Sequence, residues 1–252
     1  MARIILKNIS LVIKDVDVNK RIFEKSYKIN SQISTTGSTI KLNRNEIESK
    51  ILDNISVEFK EGDKVAIIGH NGSGKTTLLR ILSNIYEPTS GEIKITGNVM
   101  PCLNISHVFN PLADGYKNIE IVNRFLKTNE TIDKNKIDEI KEISELGPYL
   151  NFPIKNYSSG MLARLLFAIV IVNKSDILLI DEGINTGDIF FQKKATKLLK
   201  DKINETKINI IASHSEDFLR SLCNKALVMK KGKIKFFSTV NEAFKFYNSD
   251  NY

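Results

Sequence analysis

Nine consecutive residues, Gly69-His70-Asn71-Gly72-Ser73-Gly74-Lys75-Thr76-Thr77, restrict this chain more than any other stretch. They follow an apolar run, Val65-Ala66-Ile67-Ile68, that reads as a buried strand, and they precede Leu78-Leu79-Arg80-Ile81-Leu82, which reads as the first turns of a helix. Glycines at such a junction let the backbone curl until successive N–H groups point inward, and the helix start adds the positive end of its dipole at the same place. That combination binds phosphate. Lys75 is placed to bridge terminal phosphates, and the Thr76 hydroxyl to complete the coordination of Mg²⁺, an ion that takes few protein ligands and keeps several waters. Thr77 helps to start the helix. The strand before and the helix after argue against the alternative, a glycine-rich turn with a solvated lysine.

A chain of 252 residues, 42% hydrophobic and 26% charged, can bury one full-sized α/β core without disulfides or metal. Its formal net charge of +8 allows nucleic acid, an anionic membrane face or a lysine-rich solvated surface, and the spread of the lysines along the chain favours the last. Cys102 and Cys223 stand far apart, in neither a metal-type nor a redox-type spacing, so inert thiols in a reducing compartment are expected. The longest apolar run, Leu165 to Val172, falls short of the roughly 20 residues a bilayer span needs. Met1 to Leu6 lack the apolar core and cleavage site of a secretory leader. The expectation is a soluble, cytoplasmic protein that can still dock on something that is neither.

Taken in order, Arg3 to Ile13 reads as a first strand, and residues 14–50 as a polar insertion with a short helix around Arg21 to Tyr27. Ile51 to Phe59 alternates apolar and polar residues and forms a hairpin with the strand that feeds the glycine loop. Glu92 to Thr96 alternates again, the pattern weakens from Gly97 to Pro111, and from Asp114 to about Leu146 it becomes helical, a separate helical lobe. Tyr157-Ser158-Ser159-Gly160-Met161 opens a helix, Leu162 to Val172, so apolar that most of its circumference must be buried. Ile177-Leu178-Leu179-Ile180 reads as a central parallel strand that delivers Asp181 and Glu182 to its C-terminal tip. Phe190 to Ile203 has helical spacing, Ile208 to His214 is a second buried strand with a polar tip, and Ala226 to Phe237 is a hairpin turning at Lys231-Gly232.

Strands ending at Lys75, at Asp181-Glu182 and at His214 would bring these groups to one edge of a parallel sheet, where α/β proteins bind ligands. There Asp181 can hold Mg²⁺, Glu182 can polarise a water aimed at the γ-phosphate, and His214 can hydrogen-bond that phosphate or that water. Singly, an acidic pair closing a strand is a common turn and a lone histidine is more often structural. The phosphate loop upstream favours the catalytic reading of both.

The order of these motifs resembles the ATP-binding subunits of ABC transporters over nearly the whole length. Tyr157-Ser158-Ser159-Gly160-Met161 sits where that family has its signature, usually Leu-Ser-Gly-Gly-Gln, and keeps Ser158 and Gly160. The resemblance implies an α/β fold, a P-loop NTPase with a RecA-like parallel sheet core, an antiparallel β subdomain and an α-helical subdomain. Residues 1–252 then form one nucleotide-binding domain: a β lobe over about 1–64, the ATPase core over 65–97 and 174–252, and a helical lobe over 98–173. It also implies that two copies sandwich ATP head to tail, so that Gly69, His70, Asn71, Gly72, Ser73, Gly74, Lys75, Thr76 and Thr77 of one meet Ser158, Ser159 and Gly160 of the other. Ser158 at a helix N-terminus suits an anion, although Ser-Ser-Gly taken alone also makes a simple helix cap.

The Tyr-Ser-Ser-Gly-Met variant, the insertion and Ile85-Tyr86-Glu87-Pro88-Thr89-Ser90-Gly91 look like the subgroup that exports bacterial surface polysaccharides such as O-antigen, capsule or teichoic acid chains. Asn185-Thr186-Gly187-Asp188 stands in place of the loop that crosses the dimer seam. Longer members append a carbohydrate-recognising domain, and with the chain ending at Tyr252 none is expected here. The family's glutamine lever has no equivalent between the loop and the signature, leaving Asn104, His107 or Asn110, and the first strand lacks the usual adenine-stacking aromatic, leaving Phe23 or Tyr27. The implied function is an ATPase, using ATP and Mg²⁺ with Glu182 and His214 as catalytic residues and Thr76 and Asp181 on the metal. It would drive a membrane permease exporting a lipid-linked polysaccharide, from the cytoplasmic face of the cytoplasmic membrane, with residues 98–118 meeting that permease. Nucleic acid is not expected. The rivals are a soluble ABC-type ATPase acting on nucleic acid or ribosomes, and a weakly hydrolysing regulatory subunit.

Overall fold

The computed structural model describes residues 1–15, 32–34, 39–42, 47–103, 108–126, 132–181 and 189–249. The chain divides into two compact units, Met1–Thr96 with Ile210–Tyr252, and Gly97–Asn209.

In the first unit, β1 (Arg3–Asp15) pairs antiparallel with β4 (Ile47–Lys60) from Arg3 opposite Lys60 to Asp15 opposite Ile47. The buried positions of β1 change parity, from Ile4 and Leu6 to Ile9 and Leu11, and those of β4 change from Leu52 to Ile55 and Phe59. Strand side chains alternate strictly between faces, so each change requires one extra residue. Asn8 and Asn54 supply it: both have positive φ, +53° and +57°, and their N–H groups donate to Ser56 Oγ and Ser10 Oγ. β2 (Gln32–Ser34) and β3 (Thr39–Leu42) add a hairpin to the β4 side, and β6 (Ser90–Thr96) covers the other, giving the order β2-β3-β4-β1-β6. The segment read as a polar insertion thus contributes strands to this sheet, and β1 and β4 run deeper into it than their apolar patterns suggest. The helix expected around Arg21 to Tyr27 lies outside the described residues.

The same unit holds β5 (Lys64–Ile68), parallel to β10 (Lys225–Lys230), which turns back into β11 (Lys233–Thr239). Val65 to Ile68 and Ala226 to Met229 are buried without alternation, as befits strands covered on both faces. Lys231 and Gly232 make the turn with φ of +51° and +72°, the backbone that two-residue hairpins demand. α1 (Lys75–Leu82) follows β5, and α6 (Glu216–Leu222) and α7 (Val240–Tyr247) complete the unit. β9 (Ile208–Ala212), within which the chain passes from one unit to the other, is buried throughout.

The second unit contains β7 (Val99–Cys102), parallel to β8 (Ile177–Asp181), and the helices α2 (Gly115–Phe125), α3 (Lys134–Ser144), α4 (Ser159–Val172) and α5 (Ile189–Glu205). Asp114 and Asp133 cap α2 and α3 by accepting from Lys117 N and Lys136 N. Leu165 to Val170 are six consecutive buried residues, so α4 is enclosed all round. Arg164 spans two kinds of contact, over the Phe191 ring at 4.6 Å and toward Glu145 at 3.6 Å. Among the described residues no helix is long and apolar enough to cross a membrane.

Asp176 organises the start of the parallel strands in this unit. Its carboxylate accepts from Asn98 N at 3.0 Å and pairs with Lys207 at 2.8 Å, while its carbonyl accepts from Lys207 N and Ile208 N. The Lys207 ammonium, then the Asn98 N–H, hold this carboxyl below the usual aspartate range. A depressed carboxyl stabilises the fold fully above the unfolded pKa of about 3.9 and loses that contribution as pH falls through its lower folded value. Asp176→Asn is therefore expected to cost about 0.5–1 kcal/mol at neutral pH, the upper part of the range for an ion pair screened by solvent. The difference from the parent narrows below about pH 4, as measured by denaturant unfolding across pH. An equal difference at pH 3 and pH 7 would assign the loss to packing.

Candidate functional site

The loop between β5 and α1 is pressed against other parts of its own unit. A Cβ at Gly69 would stand 2.4 Å from the Met229 carbonyl and 2.6 Å from Ser73 Oγ, which nothing larger than glycine tolerates. Gly74, at φ +105°, sits where a side chain is strained and its Cβ would meet Leu52 at 2.8 Å. The β10–β11 turn braces the loop directly: Gly232 N donates to Ser73 O at 3.0 Å, and Asp53 N donates to Gly232 O at 2.9 Å. The Asp53 carboxylate pairs with Lys50 and with Lys233, and the Lys50 hydrogen bond leads in holding its carboxyl below the usual range. At the end of α7, the Tyr247 hydroxyl stands 3.5 Å from His70 Nδ1, with the rings 5.6 Å apart.

Lys75, the first residue of α1, is only 7% exposed and curls its ammonium back onto Gly69 O at 2.8 Å and His70 O at 3.2 Å. No side chain caps the N-terminus of α1, and its first turn carries no acidic residue. An anion is the natural acceptor for its initial N–H groups. Ser73 is buried and its hydroxyl has no hydrogen-bond partner among the described residues. A curved backbone held open by glycines, an uncapped helix start, an ammonium at its centre and an unsatisfied hydroxyl suit a polyphosphate. Asn71 and Gly72 are exposed at the loop crest, and Thr76 and Thr77 are half-buried on the helix. His214 is exposed two residues past β9, immediately before Ser215, which caps α6 through Phe218 N.

In the second unit, Ile177 to Ile180 are buried and Asp181 ends β8 half-exposed. Glu182 follows it in the chain and lies outside the described residues, as do Asn185 to Asp188. Ser158 caps α4: its extended backbone lets Oγ accept from Met161 N at 3.2 Å. Ser159 is exposed on the first turn and Gly160 is half-buried behind it. Tyr157 is buried, and its hydroxyl donates to Tyr149 O at 2.7 Å. Of the residues considered for the glutamine lever, Asn104 and His107 lie outside the described residues, and Asn110 uses its carbonyl oxygen locally, accepting from Leu112 N at 3.0 Å. Phe23 and Tyr27 also lie outside them.

A glycine loop of this geometry on a parallel strand, followed by a capped serine-glycine helix start and an acid-tipped strand, defines an ATP-binding cassette. The ABC transporter family profile matches residues 52–185, and the chain belongs to that family of ATPases. Its relatives include the O-antigen export system ATP-binding protein RfbE of Yersinia enterocolitica, 40% identical over 89% of this chain and 96% of that protein. The capsule polysaccharide export ATP-binding protein CtrD of Neisseria meningitidis is 38% identical over 79% of this chain and 90% of its own length. The polysialic acid transport ATP-binding protein KpsT of Escherichia coli is 37% identical over 79% and 91%. Among solved structures, the dimeric post-hydrolysis state of the ATP-binding cassette MJ0796 bound to ADP and Pi superposes with a TM-score of 0.67 at 20% identity, covering 94% of this chain and 98% of that one. The fold is thus that of the P-loop NTPases, with parallel, antiparallel and helical parts as the resemblance implies.

Asp53 and Gly232 behind the loop, Tyr247 beside His70, and the bond from Tyr157 to Tyr149 are contacts that the sequence pattern does not announce. Only Gly232, in a Lys-Gly turn, carries a local signal.

Proposed function

We propose that this chain is the ATP-hydrolysing subunit of an ABC exporter that moves a lipid-linked surface polysaccharide of O-antigen type across the cytoplasmic membrane. It works as a pair of copies on the cytoplasmic face, beneath a separate membrane permease. The 40% identity to the O-antigen export ATP-binding protein, spread over 89% of the chain, carries this reading. Lys75 and the loop N–H groups hold the β- and γ-phosphates and stabilise the charge that builds as the bond to the γ-phosphate breaks. Thr76 and Asp181 offer a hydroxyl and a carboxylate, hard oxygen donors of the kind Mg²⁺ takes. Bound there, Mg²⁺ would neutralise phosphate charge. Glu182 orients and deprotonates the attacking water, and His214 hydrogen-bonds the γ-phosphate. Ser158, Ser159 and Gly160 of each copy close over the nucleotide of the other.

Residues 98–118 form the surface for the permease. In support, Leu112 is 75% exposed, and the backbone around it is tied to the segment bearing exposed Phe152 through Ile154 N to Ala113 O and Lys155 N to Pro111 O. The test is to tag the chain in its native cell, solubilise in mild detergent with ATP and identify what co-purifies. A multi-span membrane protein is expected. Recovery of ribosomes or DNA instead would leave the ATPase and remove the transport role.

A further inference from the structure

Tyr157 stands where the family signature usually has leucine, and the structure gives its hydroxyl a specific task. The ring is 9% exposed and the oxygen donates to Tyr149 O at 2.7 Å, closing the segment between two 3-10 turns, Gly147–Asn151 and Ile154–Asn156. Phe152 N donates to the same carbonyl at 2.9 Å, so both of its lone pairs are used. Gly115 makes room for this arrangement: a Cβ there would stand 2.6 Å from the Tyr157 hydroxyl and 2.8 Å from Leu150. Two further hydrogen bonds hold the segment from the side of α2, Lys155 N to Pro111 O and Ile154 N to Ala113 O, the second within the antiparallel bridge of Asp114 and Pro153. Burial, then the charge of Asp114, pushes the Tyr157 hydroxyl up to about 12, so it remains a donor at every physiological pH. Ser158, the next residue, is exposed and caps α4 from an extended backbone. The direction of its Oγ and of the first N–H groups of α4 is therefore set by where Tyr157 is held.

We propose that Tyr157 is a positioning residue, whose hydroxyl bond to the Tyr149 carbonyl fixes the start of α4 so that Ser158 and Gly160 meet the ATP of the partner copy. Phenylalanine would fill nearly the same space but cannot make this bond, leaving the Tyr149 carbonyl short of one donor, and leucine would in addition leave part of the ring's space empty. The inference rests on the reading that the α4 start acts in trans.

The experiment uses the full chain carrying Glu182→Gln and follows the ATP concentration at which half of it is dimeric, by light scattering. Tyr157→Phe should raise that midpoint about 3–10-fold, the effect of one lost hydrogen bond, and Tyr157→Leu, which also empties part of the ring's space, by at least as much. ATP affinity of the dilute monomer should be unchanged, because the phosphate loop belongs to the other unit; Ser158→Ala serves as reference. If Ser158→Ala raises the midpoint and neither Tyr157 variant does, the inference is overturned while the trans role stands. If Ser158→Ala leaves the midpoint in place, the trans role fails and the inference with it. An equal loss of monomer affinity in the Tyr157 variants would mark a general structural defect and also overturn it.

Discussion

Lys75→Ala is expected to lower ATP hydrolysis by about two to three orders of magnitude, the effect of removing one preorganised donor from developing charge. Fluorescence titration should show weaker ATP binding as well, because the same ammonium serves the ground state. Lys75 is 7% exposed and holds the carbonyls of Gly69 and His70, so its position is fixed before any nucleotide arrives. Preorganisation of this kind avoids reorganisation cost at the moment of reaction. Arginine should not rescue, since its planar fork is larger than an ammonium and the curve of the loop is pinned at Gly69 and Gly74. Thermal unfolding of the variant should stay near the parent, which separates this loss from misfolding. Hydrolysis within fivefold of the parent would remove Lys75 from the phosphate site.

Glu182→Gln is expected to separate binding from chemistry. Glutamine keeps the size and hydrogen-bonding reach of the side chain and loses its basicity, and a positioned general base contributes about 10²–10⁴-fold. Phosphate release should fall in that range while ATP affinity holds, leaving an ATP-bound dimer that gel filtration resolves. Asp181, the residue before it in the chain, ends a strand whose preceding run, Ile177 to Ile180, is fully buried. A variant that hydrolyses at the parental rate would transfer the base to another residue.

The phosphate loop, the enclosed helix α4, the acid-tipped strand and the last hairpin were all legible in the sequence, because each is set by a local pattern: glycines, an unbroken apolar run, a positive-φ turn. β7 was not. Val99 to Cys102 is four residues long and contains Pro101, which withholds an N–H and reads as a breaker, yet it pairs parallel with β8. β2 and β3 were also missed, since their three and four residues are mostly polar and their pairing depends on the β4 edge. The parity changes at Asn8 and Asn54 show why alternation alone misjudges such strands: each bulge exchanges the faces within one run. The supports of the site were invisible for another reason. Gly232 and Ser73 are far apart in the chain and meet through backbone atoms, and Tyr157 reaches a carbonyl, so neither contact leaves a trace in residue type.

ATP hydrolysis by this chain, on the function proposed, moves a polysaccharide to the cell surface. This is tested most directly by replacing the chromosomal copy with the Glu182→Gln variant in the native cell and measuring the polymer on the surface and inside. The expected result is normal synthesis with the lipid-linked polymer accumulating in the cytoplasmic membrane and lost from the surface. Unchanged surface polysaccharide in cells whose only copy cannot hydrolyse ATP would contradict a role for this chain in export.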